Sequence, residues 1–262
     1  MTHRLPRIRL VVPTTGRRLR YLEQCLESIS RQDEPADVVV VGPTVPSPAL
    51  HELAKSYRCL YVPELDRGIS SAVNQGWSGA DVDYLGWLGD DDLLTDGSLS
   101  AAVRELERVP DAAMVYGWVR VIDSNGSHVY TMRPGRFASW LLTYGQNFVW
   151  QPGSLYRKAA VEKVGMLDPL LRYTMDFDLH LRLRRYGKLH YLPQPLACYR
   201  SHPTTLTATN PEPYGERRRV MRRHLGPVSG ALEVCWWPAA KSVGRALGAL
   251  QFRTGREDKA HG

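Results

Sequence analysis

Cysteine is scarce in this 262-residue chain, and the four present, Cys25, Cys59, Cys198 and Cys235, are far apart and form no C-x-x-C pair. That spacing excludes a legible zinc site or disulfide framework, and the four read as ordinary cytosolic thiols. Long apolar runs are missing too. No stretch approaches the roughly 18 uninterrupted apolar residues of a membrane span. At the N-terminus, Ile8–Val12 is too short for the apolar region of a signal peptide and runs straight into Pro13. No internal repeat is present. Negative charge is in deficit: 27 acidic residues face 34 lysines and arginines, a net charge of +7 with a pI near 9.3. Such a balance favours acidic partners, among them phosphorylated small molecules, anionic lipid head groups and nucleic acid. With 43% hydrophobic and 23% charged residues, the composition is that of an ordinary globular protein. The length suits one large α/β domain, or a domain plus a tail.

What the chain does contain is organised around Tyr84-Leu85-Gly86-Trp87-Leu88-Gly89-Asp90-Asp91-Asp92. A strand-length apolar run ends in three consecutive carboxylates. Adjacent like charges repel, and become tolerable around a cation or in water. Mg²⁺ and similar hard cations take oxygen ligands, commonly one or two carboxylates plus substrate phosphates. In open α/β sheets, ligands bind beyond the carboxyl ends of the strands. The triplet therefore reads either as a metal corner for a phosphorylated substrate or as an acidic turn before the helix that starts near Asp96-Gly97-Ser98.

Upstream, Ile8–Val12 reads as a strand, about residues 18 to 31 as a helix, Asp37–Val41 as a buried strand, about 48 to 57 as a helix and Cys59–Val62 as a strand. This βαβαβ rhythm predicts a doubly wound, mostly parallel sheet. In the next segment Gly68 permits unusual backbone angles, and Ser70 is placed to cap a helix running to about Trp77. That helix start offers N–H groups to an anion, or is a plain loop-to-helix junction. A helix is expected over Leu99–Arg108. Strands are expected over Ala113–Val121 and His128–Met132, joined by the hairpin turn Asp123-Ser124-Asn125-Gly126.

Together these motifs resemble family 2 glycosyltransferases of the GT-A fold. The family's pattern S-E-x-D-x-G-I-x-x-A-x-N-x-G, followed by a strand and L-N-x-D-D, is matched by Pro63-Glu64-Leu65-Asp66-Arg67-Gly68-Ile69, Ala72, Asn74 and Gly76, then Leu88 to Asp92. The first strand followed by Pro13-Thr14 also resembles the family's opening. The resemblance runs through about residue 205 and implies an α/β, Rossmann-like GT-A domain over 1–210. Its nucleotide-binding half would span about 1–110 and its acceptor half about 111–210, with a C-terminal helical tail over 211–262. It further implies nucleotide-sugar contacts from Pro13, Thr14, Asp66, Arg67, Gly68, Asn74, Asp90 and Asp91. Mg²⁺ or Mn²⁺ would be held by Asp91, Asp92 and His202. Two departures stand out. Gly42 occupies the place of the family's base-binding acidic residue, which shifts base recognition towards Asp66 and backbone groups. Gly89 stands where the family often has Asp or Asn, which leaves Asp91 or Asp92 as the metal ligand and Asp90 secondary.

In the second half, Phe137, Trp140, Tyr144, Phe148 and Trp150 read as core packing or as sugar-stacking faces, and Gln151–Lys158 resembles the family's approach to the acceptor. Leu179, Leu183 and Tyr186 lie at helical spacing behind Asp176-Phe177-Asp178. A carboxylate at that helix start is stabilised by the helix dipole alone; the resemblance implies that Asp176 is the catalytic base and that Asp178 orients the helix. A short strand is expected at Leu189–Leu192, and Tyr199-Arg200-Ser201-His202 ends a further one; the resemblance implies His202 near the metal or diphosphate, with Arg200 a candidate phosphate contact, and the alternative for His202 is a lone surface residue. From Pro211 the chain turns basic: Arg217-Arg218-Arg219 and Arg222-Arg223-His224 precede Val234, Trp236, Trp237, Val243, Leu247, Leu250 and Phe252 interleaved with Lys241, Arg245 and Arg253. Such a segment lies on an anionic membrane surface or packs back on the domain.

The implied activity is metal-dependent, inverting transfer from a nucleoside diphosphate sugar, UDP or dTDP, to a carbohydrate, lipid-linked or small-molecule hydroxyl. The expected location is cytoplasmic or peripheral on the inner membrane face, with no nucleic-acid partner. The alternatives are a nucleotidyltransferase, disfavoured because only Gly16 marks a phosphate loop after the first strand, a non-catalytic nucleotide-sugar binder, and a basic nucleic-acid-binding protein, which would need a stripe of arginines rather than a tail cluster.

Overall fold

The computed structural model describes residues 8–203 and 212–225 and positions 237, 238 and 242. Strand β1 (Ile8–Pro13) carries Leu10 and Val12 to one face of a sheet and Val11 to the other, and all three are buried. It is followed by α1 (Leu19–Ser30), β2 (Ala36–Gly42), α2 (Pro48–Ser56), β3 (Leu60–Pro63), α3 (Ile69–Trp77) and β4 (Tyr84–Trp87). The valine run of β2 is buried at Val39, Val40 and Val41, as a two-sided parallel sheet requires. Ser47 caps α2, its Oγ accepting the Leu50 N–H at 3.2 Å ahead of Pro48.

Beyond β4 come β5 (Leu93–Leu94), α4 (Ser98–Arg108), β6 (Ala112–Ile122), β7 (His128–Met132), α5 (Ala138–Leu141), a single 3₁₀ turn (Leu142–Tyr144), β8 (Leu155–Arg157), α6 (Lys158–Val164), α7 (Met175–Leu183), β9 (Lys188–Arg200) and α8 (Glu212–His224). The β6–β7 hairpin turns where expected, with Asp123 Oδ1 accepting the Asn125 and Ser127 N–H groups, each at 2.9 Å.

The strands form one sheet in the order β3-β2-β1-β4-β8-β6-β9-β5, with β7 on β6. The first four are parallel throughout. The expectation of a mostly parallel sheet stops there. Strand β8 inserts antiparallel between β4 and β6, and β5 and β7 pair antiparallel as well, while β6 and β9 are parallel. A three-residue strand is too short to leave a periodic trace. Where two short strands were expected, β9 is continuous over 13 residues. Its pairing with β6 shifts register around Tyr116 and Trp118, opposite the Pro195 neighbourhood, and such irregularities are where a sheet tolerates proline.

One face of the sheet packs Leu10, Val12 and Val40 under Leu22, Leu26, Leu50, Leu99 and Leu106 of α1, α2 and α4. The other packs Val11, Val39, Val41 and Leu85 under Val73 and Trp77 of α3 and Phe177 and Leu179 of α7. Helix α8 lies against this second layer, with Val220 and Met221 fully buried. Among the described residues no helix is long and apolar enough to cross a membrane. Trp237 is partly buried against the same core. Cys235, Val234, Trp236, Lys241, Val243, Arg245, Leu247, Leu250, Phe252 and Arg253 lie outside the described residues.

Candidate active site

The chain runs β1, β2, β3 outwards on one side of β1 and then returns to place β4 on its other side. The crevice at the carboxyl ends of β1 and β4 is thus the point where strand order reverses, the default ligand position of an open α/β sheet. Thr14 leaves β1 with its N–H on the Val41 carbonyl at 2.8 Å, and Leu88 leaves β4 with its N–H on the Val11 carbonyl at 3.0 Å. The first bond holds the end of β1 to β2 and the second holds the end of β4 to β1. Across the crevice Thr14 Oγ1 donates to Asp90 Oδ2 at 2.6 Å.

The three carboxylates take different roles. Asp90 is 2% exposed and also accepts from Arg18 Nη2 through Oδ1. Burial pushes its carboxyl above the ordinary range, while the Thr14 hydrogen bond and the Arg18 charge pull it down. Asp91 is the most open of the three. Its Oδ2 receives Arg18 Nη1 at 2.7 Å and lies 2.8 Å from His202 Nε2. Asp92 is buried, its Oδ1 accepting the Arg200 N–H at 3.0 Å, and burial together with the Asp91 charge holds its carboxyl well above the usual range.

Arg200 is 1% exposed, which corrects its expected role as a phosphate contact. Its Nε donates to the Asp91 carbonyl at 2.9 Å, its Nη2 to Gln24 Oε1 at 2.8 Å, and its guanidinium lies over the Tyr21 ring, 4.5 Å from the centroid. It is the scaffold of the triplet. Gly89 explains the departure from the family's Asp or Asn: a Cβ there would meet Asp91 Oδ1 at 2.9 Å and Asp92 Oδ2 at 3.1 Å. Glycine leaves the room into which the two carboxylates fold.

The donor set fits a hard divalent cation. Asp91 Oδ2 and His202 Nε2 converge, and a cationic guanidinium already stands against both. Asp92 is turned towards Arg200 rather than into a shared cage, and among the described residues no three Asp, Glu, His or Cys side chains close on one point. An ion held by these two donors would leave its other ligand positions to substrate phosphate and water.

The other expected nucleotide residues are dispersed. Pro13 closes β1. Asp66, Arg67 and Gly68 form an exposed loop between β3 and α3, where Gly68 adopts a φ of +115° that side chains rarely accept. Ser70 does not cap α3: it is buried, with its Oγ donating to the Leu171 carbonyl at 3.2 Å. Asn74 commits its amide to the Leu167 backbone, donating at 2.8 Å and accepting at 3.0 Å. It ties α3 to the segment that leads into α7.

That segment sets Asp176 in the first turn of α7. Asp176 is half-buried, and Asn147 Nδ2 donates to its Oδ2 at 3.3 Å. Burial raises its carboxyl above the ordinary value, against the hydrogen bonds from the Phe177 N–H and Asn147. Behind it, Tyr156 Oη and His180 Nε2 are 3.0 Å apart, and burial depresses His180 to about 3, so the ring is neutral. Asp178 is structural: burial works to raise it, but His224 at 3.1 Å and Arg182 at 2.7 Å outweigh that and hold it below the usual range. Glu216 of α8 gathers the loop ahead of α7. Its carboxylate accepts the N–H groups of Arg172, Tyr173 and Thr174 at 3.0, 2.8 and 2.7 Å and the Thr174 hydroxyl at 2.8 Å.

Arg18, Asn147 and Glu216 are absent from the residues that sequence reasoning selected. Arg17-Arg18 beside Gly16 was a visible signal, basic residues directly after the first strand; nothing local marks the other two.

The model of a family described as glycosyl transferase family 2 matches residues 10–165, well over half of the chain. The chain belongs to glycosyl transferase family 2. Thr14, Arg18 and the carboxylate triplet lie inside the matched region; Asp176 and His202 lie beyond it. An uncharacterised glycosyltransferase of Rickettsia typhi is 23% identical over 216 residues, covering 78% of this chain and 68% of its own length. The uncharacterised glycosyltransferase EpsJ of Bacillus subtilis is 23% identical over 223 residues, covering 78% and 63%. Among solved structures, S. aureus TarS 1-349 in complex with UDP-GlcNAc superposes with a TM-score of 0.67 at 15% identity, over 89% of this chain and 72% of that one. The mannosyltransferase PcManGT of Pyrobaculum calidifontis, in complex with GDP-Man and Mn2+, superposes with a TM-score of 0.59 at 16% identity, over 96% and 83%. At these identities the likeness is one of fold, and that fold is the GT-A arrangement. The protein is a glycosyltransferase.

Proposed function

We propose that this glycosyltransferase transfers a sugar from a nucleoside diphosphate donor to a hydroxyl acceptor with inversion, and that the corner of Thr14, Asp90, Asp91 and His202 receives the diphosphate. The observation that carries this reading is the convergence of Asp91 Oδ2 and His202 Nε2 at the β1–β4 reversal point. Asp91 and His202 would hold a Mg²⁺ or Mn²⁺ ion. When bound, that ion neutralises charge on the diphosphate leaving group.

Thr14 fixes Asp90 and so holds the floor of the corner. The exposed loop at Asp66, Arg67 and Gly68 borders the donor side, and Asn74 ties the helix that follows it to the Leu167 segment. Asp176 takes the proton of the acceptor hydroxyl as that oxygen attacks the anomeric carbon. The bond from the anomeric carbon to the diphosphate oxygen breaks in the same displacement, the nucleoside diphosphate departs, and the anomeric configuration inverts. Asn147 orients the Asp176 carboxylate for this role. The donor proposed is a UDP or dTDP sugar, and the acceptor a carbohydrate, lipid-linked or small-molecule hydroxyl, with peripheral membrane contact through the tail over 211–262.

The test is a thermal-shift screen of nucleoside diphosphates and their sugars with and without Mn²⁺. A Tm rise with one donor class that grows with Mn²⁺ is expected. No shift with any nucleotide sugar would overturn the reading, and donor binding without sugar transfer would leave a non-catalytic binder.

A further inference from the structure

Arg18 stands where a metal-binding corner would place its cation. Its Nη2 reaches Asp90 Oδ1, and its Nη1 lies 2.7 Å from Asp91 Oδ2 and 3.0 Å from His202 Nε2. His202 Nε2 is also 2.8 Å from Asp91 Oδ2. One ring nitrogen cannot both donate to Asp91 and accept from Arg18. When His202 accepts, its lone pair and that of Asp91 point at the same guanidinium nitrogen. Two bases sharing one positive centre is the arrangement a bound metal ion would have.

The surroundings separate a fixed backbone from a releasable side chain. Arg18 immediately precedes α1, and its carbonyl accepts the Tyr21 and Leu22 N–H groups at 2.9 and 3.0 Å. Its side chain is 32% exposed, whereas the carboxylates it bridges are 3% and 14% exposed. The guanidinium can therefore swing outwards without disturbing the helix, while the anions that hold it cannot follow. Asp90 keeps Thr14 when Arg18 leaves; Asp91 Oδ2 and His202 Nε2 are then left facing each other without the guanidinium.

We propose that Arg18 is an internal counter-ion occupying the cation position of the corner, and that a divalent ion loads only as its guanidinium leaves Asp91 and His202. Arg18 then sets the metal threshold of the protein. Without nucleotide, the closed guanidinium lowers apparent metal affinity by the fraction of molecules in which the corner is blocked. With a diphosphate present, the displaced guanidinium gains an anionic partner at the same rim, so metal and diphosphate bind cooperatively. This last step rests on the transfer reading above; the displacement itself does not.

The deciding experiment titrates the wild-type chain, Arg18→Ala and Arg18→Lys with Mn²⁺ in the absence of nucleotide, following free Mn²⁺ by electron paramagnetic resonance. Arg18→Ala is expected to bind Mn²⁺ about tenfold more tightly than wild type, within the range of coupled binding equilibria. Arg18→Lys, which keeps the charge without the two-pronged contact, should fall between them. In parallel, the Tm of Arg18→Ala in chelator should lie below wild type and rise further on adding Mn²⁺, which also reports on its folding. Equal or weaker Mn²⁺ binding by a folded Arg18→Ala, including none at all, overturns the inference. Failure of every nucleotide sugar to bind overturns the transfer reading instead and leaves this comparison standing.

Discussion

At the scale of single residues, consecutive carboxylates of identical chemistry are divided by what each one faces. Asp91 points at His202 and Arg18, whereas Asp92 points inwards at the Arg200 N–H. Alanine at the two positions should therefore fail differently. Asp91→Ala is expected to remove the Mn²⁺-dependent part of donor binding with little change in the denaturation midpoint. Asp92→Ala leaves a buried N–H unpaired and should cost about 1–3 kcal/mol in urea unfolding. Asp176 gives a second test. Asp176→Asn should abolish turnover while the donor Kd stays near wild type. Because burial raises the Asp176 carboxyl above the ordinary carboxylate range, a base there is lost as pH falls through the raised value. The acid limb of kcat/KM should accordingly lie above that of an ordinary carboxylate, and wild-type-like turnover by the Asn variant would remove Asp176 from the mechanism.

At the scale of elements, one carboxylate of helix α8 gathers the loop ahead of α7, beside the His224–Asp178 contact and the buried Val220 and Met221. Glu216 is 6% exposed and receives three backbone N–H groups and a hydroxyl from residues 172–174. Without Glu216 those donors would lose the acceptor they share. Burial works to raise the Glu216 carboxyl, but these bonds more than offset it and hold it below the ordinary range. The sign follows: this stabilisation is complete above the unfolded value and is lost as pH falls through the lower native one. Glu216→Gln keeps the shape but turns two acceptor oxygens into one. It should lower stability by about 2 kcal/mol at neutral pH and flatten the acid side of the stability profile. An unchanged urea midpoint would show that the loop holds itself.

At the scale of the whole molecule, the tail divides into a part that packs and a part beyond the described residues. Ending the chain at residue 210 removes Glu216, His224 and the buried Val220 and Met221, so that protein should melt well below wild type and lose turnover. Ending it at 225 keeps all four and should cost less, the difference being the partly buried Trp237. The chain ending at 225 therefore tests membrane contact without unfolding the enzyme. If it still binds anionic vesicles as the full chain does, the segment beyond it is not the membrane contact.

The boundaries between what could be read from the chain and what could not follow from range. Residues 8 to 88 were legible because hydrophobic periodicity and turn chemistry act over a few neighbours, and the elements from β1 to β4 arose where those patterns put them. The triplet at 90 to 92 was legible because three like charges in a row demand an explanation from any fold. Strand β8 was not, since three residues carry no period and its antiparallel place between β4 and β6 is decided by partners some 40 and 70 residues away. Nor were Arg18, Asn147, Arg200 and Glu216, whose roles rest on contacts across 29 to 176 positions of sequence. Local propensity chose the elements. Only packing decided which carboxylate faces the crevice and which is buried, because the energy of a charge depends on what surrounds it in space, not on its neighbours along the chain.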